Sequence, residues 1–87
     1  MGKIQEVLSN ARTRKLLSYI MKNPGSYFSE IVTATGISRK EGLLLLLDLE
    51  EEGILYSSLE LRSPHQMERK YHLKNEYLRY KKILTTG

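Results

Sequence analysis

Three breaks in the backbone constrain this 87-residue chain more than any other feature: Asn23-Pro24-Gly25, Gly36 and Gly53. Proline disfavours helical geometry in the residue before it. A glycine just past a helix can take the left-handed backbone that closes the last turn. The segments between these breaks are of ordinary helix length, so the chain must assemble from short elements. An apolar content of 40% suffices for one core and not for two. Repeats, low-complexity tracts and linker-like stretches are absent, and one domain spanning 1–87 is expected.

The spacing of apolar residues assigns the segments. Ile4, Val7 and Leu8 lie at i, i+3, i+4 and predict a short helix within residues 1–9. Ser9 or Asn10 is the expected cap of a second helix whose inner face carries Leu16, Leu17, Ile20 and Met21. Ser26 is the expected cap of a helix near 27–35, with Phe28, Ile31, Val32 and Ala34 as apolar members. Ser38 and Glu41 form a capping-box pattern for a helix running to about Glu52. After Gly53 the pattern changes. Ile54 to Leu61 is rich in β-formers, with Leu55, Leu59 and Leu61 on one side. A turn is expected at residues 62–66, followed by a return strand from Met67 to Leu73. Asn75 caps a last helix to about Leu84, showing Tyr77, Tyr80 and Leu84 on one stripe.

Composition narrows the function classes. With no cysteine, disulfide frameworks, thiolate zinc sites and cysteine nucleophiles are excluded. The longest apolar run, Leu43 to Leu47, is far short of a membrane span. No apolar stretch resembles a signal peptide, so a soluble, cytoplasmic protein without membrane contact is expected. His65, Glu68 and His72 would align on a helix, but the hairpin reading separates them, and no metal site is expected. Phosphate loops, nucleophile elbows and paired carboxylates in a known motif are also absent. Neither enzymatic activity nor a cofactor is expected. Net charge is +4, distributed as +4 over residues 1–23, −5 over 24–60 and +5 over 61–87. Two basic ends permit a polyanionic partner, although a solvated surface explains such charges equally well.

The stretch NPGSYFSEIVTATGISRKEGLLLLLDLEEEGIL, residues 23–55, resembles the helix-turn-helix of winged-helix regulators of the ArsR, MarR and PadR types from bacteria and archaea. The features that carry the resemblance are the Pro-Gly pair, Ser29-Glu30-Ile31, the Thr35-Gly36-Ile37-Ser38 turn, and Leu46-x-x-Leu49 leading into Glu50-Glu51-Glu52-Gly53-Ile54. With the hairpin that follows, it covers roughly residues 10–74. The resemblance implies an α+β, mostly helical fold: a three-helix core, a two-stranded β-wing, and flanking N- and C-terminal helices. It implies sequence-specific binding of double-stranded DNA by a dimeric transcriptional regulator. In such proteins the helix after the turn enters the major groove and the wing touches the backbone or the minor groove. On that basis Ser38, Arg39, Lys40 and Leu44 are expected to face the groove. Arg62, His65, Gln66, Arg69 and Lys70 are expected on the wing, with Arg12 and Arg14 as phosphate contacts.

The recognition helix departs from that pattern. With Leu46 at the centre of the buried face, a step of roughly 100° per residue places Leu43 and Leu49 beside it and Gly42 with them. The outward face is then Lys40, Glu41, Leu44, Asp48 and Glu51, with Leu45 and Leu47 on the borders. Base edges present hydrogen-bonding groups, which leucine cannot meet beyond a thymine methyl, and the carboxylates would oppose phosphates. Either only the helix N-terminus and the wing engage DNA, with the leucines lining a tightly packed corner of the domain, or the helix face is a protein interface through Leu44, Leu45 and Leu47, since contiguous exposed apolar surface marks contact sites. Gly42 is unfavourable within a helix and is either a tolerated loss or a requirement of close packing. The short terminal helices are expected either to cover the core of one monomer or to form a homodimer interface from Ile4, Val7, Leu8, Tyr77, Tyr80 and Leu84.

Overall fold

A computed structural model of the chain describes residues 9–80, with side chains as far as Tyr77. The first helix, α1, is Ala11–Lys22, and it starts where Asn10 is able to cap it. The Asn10 side chain accepts hydrogen bonds from the backbone N–H groups of Arg12 and Thr13, at 3.0 and 3.1 Å. Leu16, Leu17, Ile20 and Met21 form its buried face, as their spacing predicts.

The next element differs from the expectation. Ser26 does not cap a helix but lies in a two-residue strand, β1, Ser26–Tyr27. Its hydroxyl instead donates to the Asn23 carbonyl, closing the Pro24-Gly25 turn. The second helix, α2, is Phe28–Thr35, and the Glu30 carboxylate accepts the Tyr27 N–H at its start, at 2.9 Å. Gly36 ends α2 at φ 73°, and its N–H donates to the Val32 carbonyl. That backbone is costly for any residue with a Cβ, which accounts for glycine here.

The third helix, α3, is Arg39–Glu51. Ser38 caps it by accepting the Glu41 N–H at 3.1 Å. Only half of the expected capping box is built, because the Glu41 carboxylate pairs with Arg12 at the start of α1. Gly42, Leu46 and Leu49 are the buried residues of α3. A Cβ placed on Gly42 would lie 2.7 Å from Val32 Cγ1. The missing side chain therefore lets α3 approach α2 closely, which resolves the question the sequence left open. The same contact sets the rotation of the helix. Leu45, expected on a border, is half-buried against the core, whereas Leu43, expected on the inner face, is exposed.

The chain then forms a hairpin of β2, Leu55–Ser63, and β3, Gln66–Leu73. The sheet has three antiparallel strands in the order β1-β3-β2, so the expected two-stranded flap gains a third, short edge strand. Register runs from Leu55 opposite Leu73 to Ser63 opposite Gln66, with an irregularity between Leu61 and Ser63. The turn is thus only Pro64-His65, and Arg62 and Gln66 belong to strands. No non-glycine residue among those described has positive φ, so the turn is not of the primed kind that matches strand twist. The irregular step beside it takes up that mismatch.

The architecture of the described residues is therefore α+β, with three helices and a three-stranded antiparallel sheet. The helices pack on one end of the sheet, where Leu55, Tyr71 and Leu73 join Leu16, Leu17, Ile20, Ile31, Leu46, Leu49 and Ile54 in one core. Residues 75–80 form a 3₁₀ segment rather than the start of an α-helix. None of the described helices is long and apolar enough to cross a membrane.

Candidate macromolecule-binding surface

Strand pairing divides the hairpin side chains between two faces, because alternate residues point oppositely. One face carries Leu55, Ser57, Leu59 and Leu61 from β2, paired with Leu73, Tyr71, Arg69 and Met67 from β3. Near the core this face is sealed by the helices, but the strands extend beyond them. Leu59, Leu61 and Met67 are consequently exposed. Ser57, on this same face, donates its hydroxyl to Glu50 of α3 at 2.8 Å. Leu43, Leu47 and Glu50 share one side of α3 at i, i+4, i+7, so the hairpin face turns toward that side of the helix.

Seven large apolar side chains are exposed among the described residues, all on α3 and the hairpin, and only Tyr56 lies on the opposite face of the hairpin. Leu43, Leu44, Leu47, Leu59, Leu61 and Met67 retain between 46% and 63% of their accessible surface. Asp48, Glu51 and Glu52 border this surface at the end of α3, and Arg39 and Lys40 border it at the start. Neither Leu43 nor the hairpin residues Leu59, Leu61 and Met67 were expected here. The period-two pattern put Leu59 and Leu61 with Leu55, but pattern alone does not tell where the covering helices stop.

The opposite face of the hairpin is held by charge. Arg62 donates to Ser29 Oγ and Glu68 Oε1, each at 2.8 Å, and to Glu30 Oε2 at 3.3 Å. Its guanidinium also stacks over the Tyr27 ring, 4.6 Å from the centroid. Glu68 completes the knot by accepting the Ser29 N–H at 2.7 Å, which caps the start of α2 from a distant strand. Burial pushes the Glu68 carboxyl up, but the hydrogen bonds from Ser29 and Arg62 outweigh it and hold it below its ordinary value. Tyr56 stacks on His72 further along this face, with centroids 5.1 Å apart.

The residues expected to touch DNA are thus dispersed. Ser38, Arg39 and Lys40 lie together at the start of α3, with Arg12 brought beside them by its pairing with Glu41. Arg39 lies over the Phe28 ring, and Leu44 is exposed in the middle of α3. Arg62 is held in the knot just described. His65 and Gln66 are exposed at the hairpin turn, Arg69 donates to Ser57, and Lys70 lies over Tyr27. Arg14 lines a groove of about 420 Å³ with Ala11, Lys15, Ser18, Tyr19, Lys22, Ala34 and Thr35. Of the expected dimer residues, Tyr77 packs half-buried on the core of its own chain. Ile4, Val7, Leu8, Leu84 and the Tyr80 side chain lie outside the described residues.

His65, Glu68 and His72 do not converge, and the described residues contain no cluster of three or more side chains suited to a metal ion. Compared with protein-family models, with curated proteins and with solved structures, the chain matches none.

Proposed function

We propose that this chain is a recognition module of winged-helix type whose principal face binds another polypeptide. The observation that carries this reading is the apolar surface of Leu43, Leu44 and Leu47, continued on the hairpin by Leu59, Leu61 and Met67. Fully burying a leucine or methionine side chain is worth about 1.5–3 kcal/mol, and a surface of six such half-exposed chains gains that only from an apolar partner. A DNA duplex offers hydrogen-bonding edges and phosphates instead. Asp48 and Glu51 on the same helix oppose phosphates, and Arg62, one of the wing cations, is held by carboxylates of its own chain. Function follows such a site rather than the fold that displays it.

A second reading, binding of double-stranded DNA by a regulator, is favoured by a different face. The exposed side of α1 carries Arg14, Lys15 and Lys22 and no acidic residue. Cations in this arrangement suit phosphate contacts, which position a protein without reading sequence. In either reading the module works in the prokaryotic cytoplasm.

One pair of measurements separates the two. Partner capture from cells of the source organism should identify a protein retained by the wild type and lost with Leu44→Glu. Fluorescence anisotropy of a labelled duplex at low salt should respond to Lys15→Glu with Lys22→Glu and ignore Leu44→Glu. The protein-binding reading is abandoned if Leu44→Glu changes no association. The DNA reading is abandoned if no duplex binds at about 50 mM salt, where phosphate-driven binding is strong.

A further inference from the structure

We infer that the occupant of this apolar face is a second copy of the same chain, docked with α3 antiparallel to its counterpart about a two-fold axis. The inference rests on the protein-binding reading above and names its partner. Lys40, Leu44, Leu47 and Glu51 recur at i, i+4, i+7 and i+11, and on a regular helix they fall within about 60° of one another. All four are exposed. Read in either direction, the stripe is charge, leucine, leucine, opposite charge.

That order is self-complementary only for an antiparallel pair. Residues meeting across the axis are symmetric about the midpoint between Leu45 and Leu46. Lys40 then meets Glu51 of the second copy, and Leu44 meets its Leu47. The axis generates each contact twice, as an isologous interface requires. A parallel arrangement would set Lys40 against Lys40 and Glu51 against Glu51. Neither Lys40 nor Glu51 is paired within the chain among the described residues. Leu43 and the hairpin residues Leu59, Leu61 and Met67 flank the stripe on the Glu50 side and extend the apolar area. Apolar burial supplies the affinity and the two ion pairs select the orientation.

Sedimentation equilibrium of the full chain, from about 1 to 200 μM, tests the inference. The wild type should be a dimer with dissociation in the micromolar range or tighter, and Leu44→Glu a folded monomer by circular dichroism. Lys40→Glu and Glu51→Lys should each weaken self-association at least tenfold. An equimolar mixture of these two variants should form a heterodimer of wild-type strength, because each mismatch then becomes an ion pair. A monomeric wild type at 200 μM overturns the inference, as does a dimer that survives Leu44→Glu or a mixture no tighter than its components. A monomeric wild type that still captures a different protein in a Leu44-dependent manner removes the second copy and keeps protein recognition. A monomer that captures nothing removes both.

Discussion

At the scale of single residues, Gly42 shows how one missing side chain positions an entire surface. An alanine there would improve helix propensity by about 1 kcal/mol. Its Cβ would also meet Val32 Cγ1 at 2.7 Å, and valine has little rotamer freedom within a helix. The close α2–α3 contact must then open. Gly42→Ala should therefore lose about 1–3 kcal/mol net in urea denaturation. A neutral or stabilised Gly42→Ala would refute the steric account. Because the Gly42 contact also turns Leu45 inward and Leu43 outward, such a variant should alter the contact face as well as the core.

At the scale of elements, the hairpin is joined to α2 through Glu68 rather than through apolar contact alone. Its carboxylate caps Ser29 and receives Arg62. Since the folded chain holds the Glu68 pKa below its ordinary 4.5, folding favours the ionised form. That stabilisation is present above the ordinary value and is lost as pH falls through the lowered one. Glu68→Gln should cost about 1–2 kcal/mol at neutral pH, the loss of a charged acceptor from two donors. Thermal melts from pH 7 to pH 3 should show the wild type losing stability more steeply than the variant on acidification. Parallel curves would mean that the carboxylate is not held as described. Arg62 is where expectation and structure part: the resemblance places it on a DNA-contacting wing, while its neighbours Glu30, Glu68, Ser29 and Tyr27 give it a structural task.

At the scale of the whole molecule, the cations of α1 and the apolar surface lie on different elements. The cations of α1 face a groove, and the leucines of α3 and the hairpin form a separate patch. One chain can thus pair with another polypeptide and leave its basic helix open. If self-association uses the α3 stripe, the melting temperature should rise with protein concentration, because a partner that binds only the folded chain stabilises it by mass action. Scanning calorimetry over a hundredfold concentration range should detect that rise in the wild type and its disappearance in Leu44→Glu. A concentration-independent wild type would speak against a dimer of this kind.

Local chemistry determined much of what the chain became. Asn10, Gly36 and Ser38 end or begin helices through hydrogen bonds and backbone freedom that need only nearby residues, so those boundaries were legible in the order of amino acids. Helical spacing likewise identified Leu16, Leu17, Ile20, Leu46 and Leu49 as core. Tertiary structure decided the rest, because the relevant contacts join residues far apart in the chain. Strand β1 exists because Ser26 and Tyr27 find Tyr71 and Lys70, and Glu68 matters because it reaches Ser29 from a distant strand. The rotation of α3 depends on how closely Gly42 meets Val32, and periodicity cannot measure that distance. The hairpin leucines are exposed because the helices stop short of them. Whether an alternating strand is buried depends on what lies above it, and no pattern within the strand records that.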